Sequence, residues 1–422
     1  MSAVAERQPY QRDAAPERGD GALSSRFFVL WPLATCIPVI ASPRVTLFDA
    51  ICLVIFLSRP WRAFTGPMIT RPLQYSIILF NLVFLLSAEI NHASVFQTIW
   101  RLGSVDLVVI DALVLCSVFA NAALPQINQF FFYFCVGTCL QIFYPEDPTA
   151  FTFPIKFLFN TPLGVIIATV CYSLQFPLRA ERILCAFSLT TYALIAALAR
   201  ARNAAAIEFV PAIVYFLPRF RFLQKFNFRA YILSLIGVAA GVYAILTLYY
   251  NLAISGFLGQ VAKGIAQLQG SFFGGGAGML LGGRPEVLVL SLGIIANPLI
   301  GHGVGNDLKP YENMLVLANI WQPEYLDTPD KTIIHSLLFS AGFEAGIFAM
   351  LFWLYICHLC LRAIIYAVGH RPVAYEIMLI LCLQAFWNVL FSPLIAAIRL
   401  SLLPAFVYGL YAIKQKNRTI QT

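Results

Sequence analysis

Between Arg284 and Gly346 the chain sets an arginine, a glycine-rich turn around a histidine, a second histidine and a glutamate among apolar segments. The residues run RPEVLVLSLGIIANPLIGHGVGND, then a polar insert, then HSLLFSAGFEAG. Charge beside hydrocarbon is costly, so such an interval in a greasy chain marks function. A guanidinium grips phosphate oxygens in two places at once. An imidazole, titrating at about pH 6.5 when unperturbed, accepts a proton near neutrality. Together they suit chemistry on an anionic substrate that also needs a base.

The candidates differ in strength. In Arg200-Ala201-Arg202-Asn203, after TTYALIAALA, one arginine is explained by reaching out to lipid headgroups. Two on an outer face, where the orientation rule disfavours them, fit an anionic ligand better, and Arg202 is the stronger phosphate contact. Arg284 follows SFFGGGAGMLLGG. A glycine run can cradle phosphate, but no strand precedes it and no GK[ST] follows, so it reads as a flexible loop that lets Arg284 approach a ligand. His335 starts a span directly after the polar insert and is the candidate base. His302 lies in GHGVGN, where the glycines read as conformational and the histidine as structural. Glu344, nine residues after His335, falls near the opposite face of a regular helix, so the two do not form a dyad. Inside an apolar span it needs a partner, a backbone N–H or another helix. Arg399 lies about a turn inside the last span and joins Glu344 and His302 as a supporting candidate. HExxH, a DxD pair, a Walker loop and a serine-nucleophile elbow are all missing. Cys357-His358-Leu359-Cys360 has no second ligand pair behind it, so no metal is expected.

These residues need elements to hold them, and composition names the kind. Apolar residues make up 60% of the 422 residues and charged residues 11%, about half the charged share of a soluble domain. Many apolar runs have the length needed to cross a bilayer. The expected fold is therefore all-α and polytopic, with about twelve membrane helices: roughly 26–42, 45–58, 72–88, 103–123, 127–144, 161–178, 183–200, 203–217, 230–251, 332–357, 372–391 and 394–413. Segment 286–296 is apolar but too short to span, and reads as re-entrant or interfacial. The net charge of +8 is scattered through short loops, which is an orientation signal and not a nucleic-acid surface. With the N-terminus in the cytoplasm, the loops holding Arg59, Arg62 and Arg71, Arg179 and Arg182, Arg219 to Arg229, and Arg362 and Arg371 all fall inside. Residues 1–25 then form a cytoplasmic tail, not a secretory signal. Spans one to nine occupy 26–251, a large outer loop 252–331, spans ten to twelve 332–413, and a second cytoplasmic tail 414–422. Arg200, Arg202, Arg284, His335 and Arg399 gather at the outer face, as do the small loops holding Glu89, His92 and Arg101.

Three pieces of this pattern resemble the superfamily of O-antigen ligases and Wzy-type polymerases of bacterial surface-polysaccharide assembly. Arg202-Asn203-Ala204 is similar to its Ser-Arg-Gly element. Arg284 with NPLIGHGVGN is similar to its Arg…Asn-Pro-Leu-Gly-Gly loop. His335-Ser336 followed by GFEAG is similar to its His-Asn…Glu-x-Gly element, and Phe48-Asp49 is a weaker fourth piece. Ala201, Asn203 and Ser336 depart from the usual Ser, Gly and Asn, and His302 adds bulk to a turn that is normally glycine only. The resemblance implies a GT-C type helical fold and a metal-independent, inverting glycosyltransferase of the bacterial inner membrane without a cofactor. Its donor would be an undecaprenyl-pyrophosphate-linked oligosaccharide and its acceptor a glycan hydroxyl. His335 would be the base, and Arg202, Arg284 and Arg200 would hold the pyrophosphate. Chain-length regulator and flippase proteins would be its partners in the bilayer.

A repeat-unit polymerase is the leading expectation. A ligase of the same superfamily, transferring to lipid A core or protein, is the nearest rival. Acceptor choice would lie in residues 297–331, where Tyr311, Trp321 and Tyr325 can stack on sugar rings. A transporter or flippase is the rival from another class. It often shows two related halves with helices broken at matching positions, which this chain lacks.

Overall fold

The structure, a computed structural model, describes residues 25–41, 44–145, 152, 154–155, 159–174, 176–199, 201–217, 228–260, 263–264, 266–267, 286–317 and 336–421. In chain order the elements are α1 (Ser25–Leu33), β1 (Pro38–Ala41), β2 (Arg44–Thr46), α2 (Leu47–Ser58), α3 (Pro60–Phe64), α4 (Arg71–Ile90) and α5 (Val95–Val118). There follow α6 (Leu124–Leu140), α7 (Asn160–Ser173), α8 (Leu178–Leu198), α9 (Arg202–Phe216), α10 (Phe228–Ile254), α11 (Glu286–Ala296) and α12 (Lys309–Leu317). The last are α13 (Leu337–Ala345), α14 (Ile347–His370), α15 (Tyr375–Phe391), α16 (Ala396–Ser401) and α17 (Leu403–Gln421).

Among the described residues, four helices are long and apolar enough to cross a membrane: α4, α5 with the turn after it, α8 and α14. Their outward faces stay apolar, with Leu82, Leu85 and Leu86 on α4 and Phe187, Leu194 and Leu198 on α8 all exposed. A helix facing water would place polar residues there, so these faces suit lipid. Helices α2 and α15 are apolar but shorter. The short apolar segment expected at 286–296 is α11.

Three expected spans take another form. The segment 26–42 leaves the helix at Leu33 and turns into an antiparallel hairpin in which Ile40 pairs with Val45 and Ala41 with Arg44. Pro32 in the last turn of α1 and Pro38 after it remove backbone donors, and the β-branched Ile37, Val39 and Ile40 favour a strand. The described residues are thus mostly helical, as an all-α membrane protein should be, with a small two-stranded hairpin beside the helices. The segment 332–357 breaks at Gly346 into α13 and α14. The segment 394–413 breaks between Ser401 and Leu403, just ahead of Pro404, and α17 continues through most of the expected 414–422 tail.

Helix α14 is the centre of the bundle and packs against α4, α15 and α17. Phe80 of α4, packed on Phe84 of the same helix, meets Phe352 and Trp353 of α14, with Phe80 and Phe352 ring centroids 5.0 Å apart. A second aromatic cluster joins α1, α2 and α6, where Trp31 stacks on Phe48 at 5.6 Å and Phe48 meets Phe134 edge-on at 5.5 Å. Such ring pairs contribute about 0.5–1.5 kcal/mol each beyond the area they bury.

Candidate functional site

Two of the stretches that stand out in the sequence fold against each other. The loop from Asn297 to Gly305 lies across the break between α13 and α14. His302 N donates to Phe343 O at 2.8 Å, Gly303 N to Glu344 O at 2.9 Å, and Ile347 N to Pro298 O at 2.8 Å. The last carbonyls of a helix have no partner within it, and here the loop amides satisfy them. The approach is close enough to demand glycine. A Cβ on Gly301 would lie 2.6 Å from Ala345 N, and Gly346 itself has φ +80 against Leu299 and Pro298. Helix α4 closes the third side. Ser87 Oγ donates to Glu344 O at 2.7 Å, and Asn91 Nδ2 donates to Ser87 O at 2.9 Å and to Gly301 O at 3.4 Å.

Glu344 gains the partner that an acid in an apolar segment needs. Arg101 of α5 donates from Nε to its Oε2 at 2.9 Å and also bonds Ser340. Ser340 and Glu344 are four residues apart and so share one face of α13. The pair is partly shielded, with side chains 21% and 10% exposed for Arg101 and Glu344. At its other end α13 begins on Ser336, whose Oγ accepts from Phe339 N at 3.2 Å.

His302 packs its ring on Phe343, centroids 4.7 Å apart, and sets Nε2 2.9 Å from Gly293 O and 3.1 Å from the Tyr311 hydroxyl. A carbonyl can only accept, so Nε2 carries the proton in that contact and Nδ1 is the basic nitrogen. Tyr311 meets Phe343 edge-on at 6.0 Å and stays half-buried. His92 occupies a left-handed turn between α4 and α5, with φ 50.

Arg399 stands elsewhere. Its Nη1 and Nη2 reach the two oxygens of Asp49, each at 2.8 Å, and Nη1 lies 3.8 Å from Asp111. All three residues are buried. Asp49 also accepts from Thr46 N at 2.6 Å and Thr46 Oγ1 at 2.7 Å, a capping box that starts α2. The expectation grouped Arg399 with arginines waiting for an anion. Its fork is instead filled by Asp49, because packing brings α2 and α5 onto α16 with their acids turned inward. Along α5, Arg101 and Asp111 are ten residues apart, or about 15 Å.

Of the other candidates, Arg202 is the first residue of α9, and its side chain lies outside the described part of the structure. Arg200, Arg284, His335, Trp321 and Tyr325 lie outside the described residues, as do residues 1–24 and much of 252–331. The structure therefore joins Glu344 with the His302 loop and sets Arg399 apart. It adds Ser87, Asn91 and Arg101, which the sequence reading did not choose. Their signal was there: Ser87 and Asn91 are one turn apart at the end of an apolar run, and Arg101 is a charge leading into another. Among the described residues, no three His, Cys, Asp or Glu side chains converge as a metal site. No protein-family model matches this chain, and no curated protein matches it significantly.

Proposed function

We propose that this protein is a surface-polysaccharide polymerase: an inverting, metal-independent glycosyltransferase acting on an undecaprenyl-pyrophosphate-linked glycan. One observation carries the reading. The Asn-Pro-Leu loop and the Glu-x-Gly turn, picked out as separate motif pieces, meet in a single joint held by three backbone hydrogen bonds and two glycines that tolerate no Cβ. Pieces of a site scattered through a chain should converge in this way.

In the proposed reaction a hydroxyl of the acceptor sugar bonds to the anomeric carbon of the donor as the bond to pyrophosphate breaks. His335 takes the hydroxyl proton, a role worth about 10²–10⁴-fold in rate. Arg202, Arg284 and Arg200 spread the charge of the leaving pyrophosphate, the part a metal ion plays in other enzymes. The donor lipid lies against the apolar outer faces of the helices, in the bacterial inner membrane, with chain-length regulator and flippase proteins as neighbours.

The test is direct. The purified protein in nanodiscs receives a short-chain lipid-pyrophosphate oligosaccharide. Longer glycans and released lipid pyrophosphate are expected in equal numbers of events. Glycan appearing only on added lipid A core or protein would make it a ligase. The buried Asp49, Asp111 and Arg399 favour one second reading, a transporter, since charges inside a bundle also mark ion pathways. In sealed vesicles, translocation of the intact donor without new glycosidic bonds would replace the polymerase reading with that one.

A further inference from the structure

We propose that Arg101 is a positioning residue of this site: it holds the Ser340 and Glu344 face of α13 against α5, so that α13 and the loop docked on its end keep one orientation toward the substrate. The inference rests on the polymerase reading. Helix α13 has only nine residues, from Leu337 to Ala345. So short a helix has little stability of its own and takes its orientation from its contacts. Its far end is pinned through backbone atoms: Glu344 O to Ser87 and Gly303, and Phe343 O to His302. Those bonds fix where the helix ends but leave its rotation to side chains. Arg101 supplies the rotation lock, because its planar fork engages two residues one turn apart. A lysine point charge cannot hold both at once. The helix it locks starts at Ser336, the residue after His335. The Arg101 side chain keeps some exposure, 21%, while Glu344 keeps 10%.

The experiment compares wild type with Arg101→Gln, Arg101→Lys, Glu344→Gln, Ser340→Ala and the double variant Arg101→Gln/Glu344→Gln. Each is purified in nanodiscs and assayed with the short-chain lipid-pyrophosphate oligosaccharide for kcat and KM, alongside its unfolding midpoint. Misplacing a site by about 1 Å costs on the order of 10²-fold. Arg101→Gln should lose about that factor in kcat with donor KM within about twofold of wild type, and the double variant, which leaves no unpaired Glu344, should keep that loss with an unfolding midpoint close to wild type. Arg101→Lys should recover part of the loss. The double variant should be no slower than the slower single, because both groups act through one contact. Wild-type kcat in Arg101→Gln overturns the proposal. So does a rise in KM alone, which would mean that Arg101 touches the donor itself. A kcat loss that follows the unfolding midpoint and is not recovered by lysine would make the pair merely structural. If Arg101→Gln fails to insert, Ser340→Ala and Glu344→Gln decide between the same outcomes. A folded wild type that forms no glycan and releases no lipid pyrophosphate refutes the polymerase reading instead, whatever the variants do.

Discussion

Replacing Gly346 by alanine should be among the most damaging single changes of one methyl group in this protein. The residue has φ +80 and ψ −179, a region essentially restricted to glycine, and an L side chain there costs about 1–3 kcal/mol. The added Cβ would also lie 2.5 Å from Leu299 C and 2.8 Å from Pro298 O. Neither atom is the end of a flexible side chain. Both belong to the loop whose Pro298 carbonyl accepts from Ile347 N at 2.8 Å. Relieving such overpacking costs about another 1–3 kcal/mol. The sum, roughly 2–6 kcal/mol, is a large part of the 5–15 kcal/mol by which proteins are commonly stable. Gly103 of α5 is the internal control. Nothing lies within 4 Å of a Cβ built there, and alanine favours a helix by about 0.5–1 kcal/mol over glycine. The two variants should therefore differ by at least about 2.5 kcal/mol, with opposite signs relative to wild type. The assay is unfolding in mixed micelles of increasing SDS fraction, followed by tryptophan fluorescence. Equal midpoints for Gly346→Ala and Gly103→Ala would refute the docking of the loop on the helix break.

Three further outcomes are expected. Arg399→Met should destabilise by about 3–5 kcal/mol, because it leaves Asp49 buried and unpaired, and Asp49→Asn in the same chain should restore much of that in the SDS assay; an undisturbed single variant would mean that the three residues are not buried together. Cysteine placed at Lys309 or Glu324 should react with a membrane-impermeant thiol reagent in intact cells, while cysteine at Arg221 should react only after permeabilisation; the reverse pattern would overturn the orientation drawn from the loop charges. His335→Ala should lower turnover by about 10²–10⁴-fold at equal membrane abundance, whereas His302→Ala should chiefly lower the unfolding midpoint, because it removes the ring packed between Phe343 and Tyr311; a dead His302→Ala beside an active His335→Ala would move the base to the other histidine.

The membrane-helix class, the course of α4, α8 and α11 and the unusual polarity and glycine content of the 297–305 and 343–346 stretches were legible in the residues. The reason is that each is a local property: a run of apolar side chains sets helix length and lipid-facing character, and a cluster of glycines around polar residues stands out against such a background. The break of α13 from α14 was not legible, because a glycine within an apolar run is compatible with an unbroken span until the Leu299 carbonyl occupies the place of its Cβ. Nor was the start of the chain: Pro32 and Pro38 are visible, but whether the residues between β1 and α2 pair as a hairpin depends on what packs beneath them. Charge partners were the least legible of all. Glu344 announces only that it needs a partner, a backbone N–H or another helix, and Arg101, 243 residues away, is no nearer in sequence than several other arginines. Arg399 in the sequence stands beside an expected outer face; in the fold two carboxylates from α2 and α5 reach it first. A single buried charge states its need in the sequence, while the identity of its partner is settled by helix packing, because the pairing energy depends on a few ångströms of separation that only the tertiary structure determines.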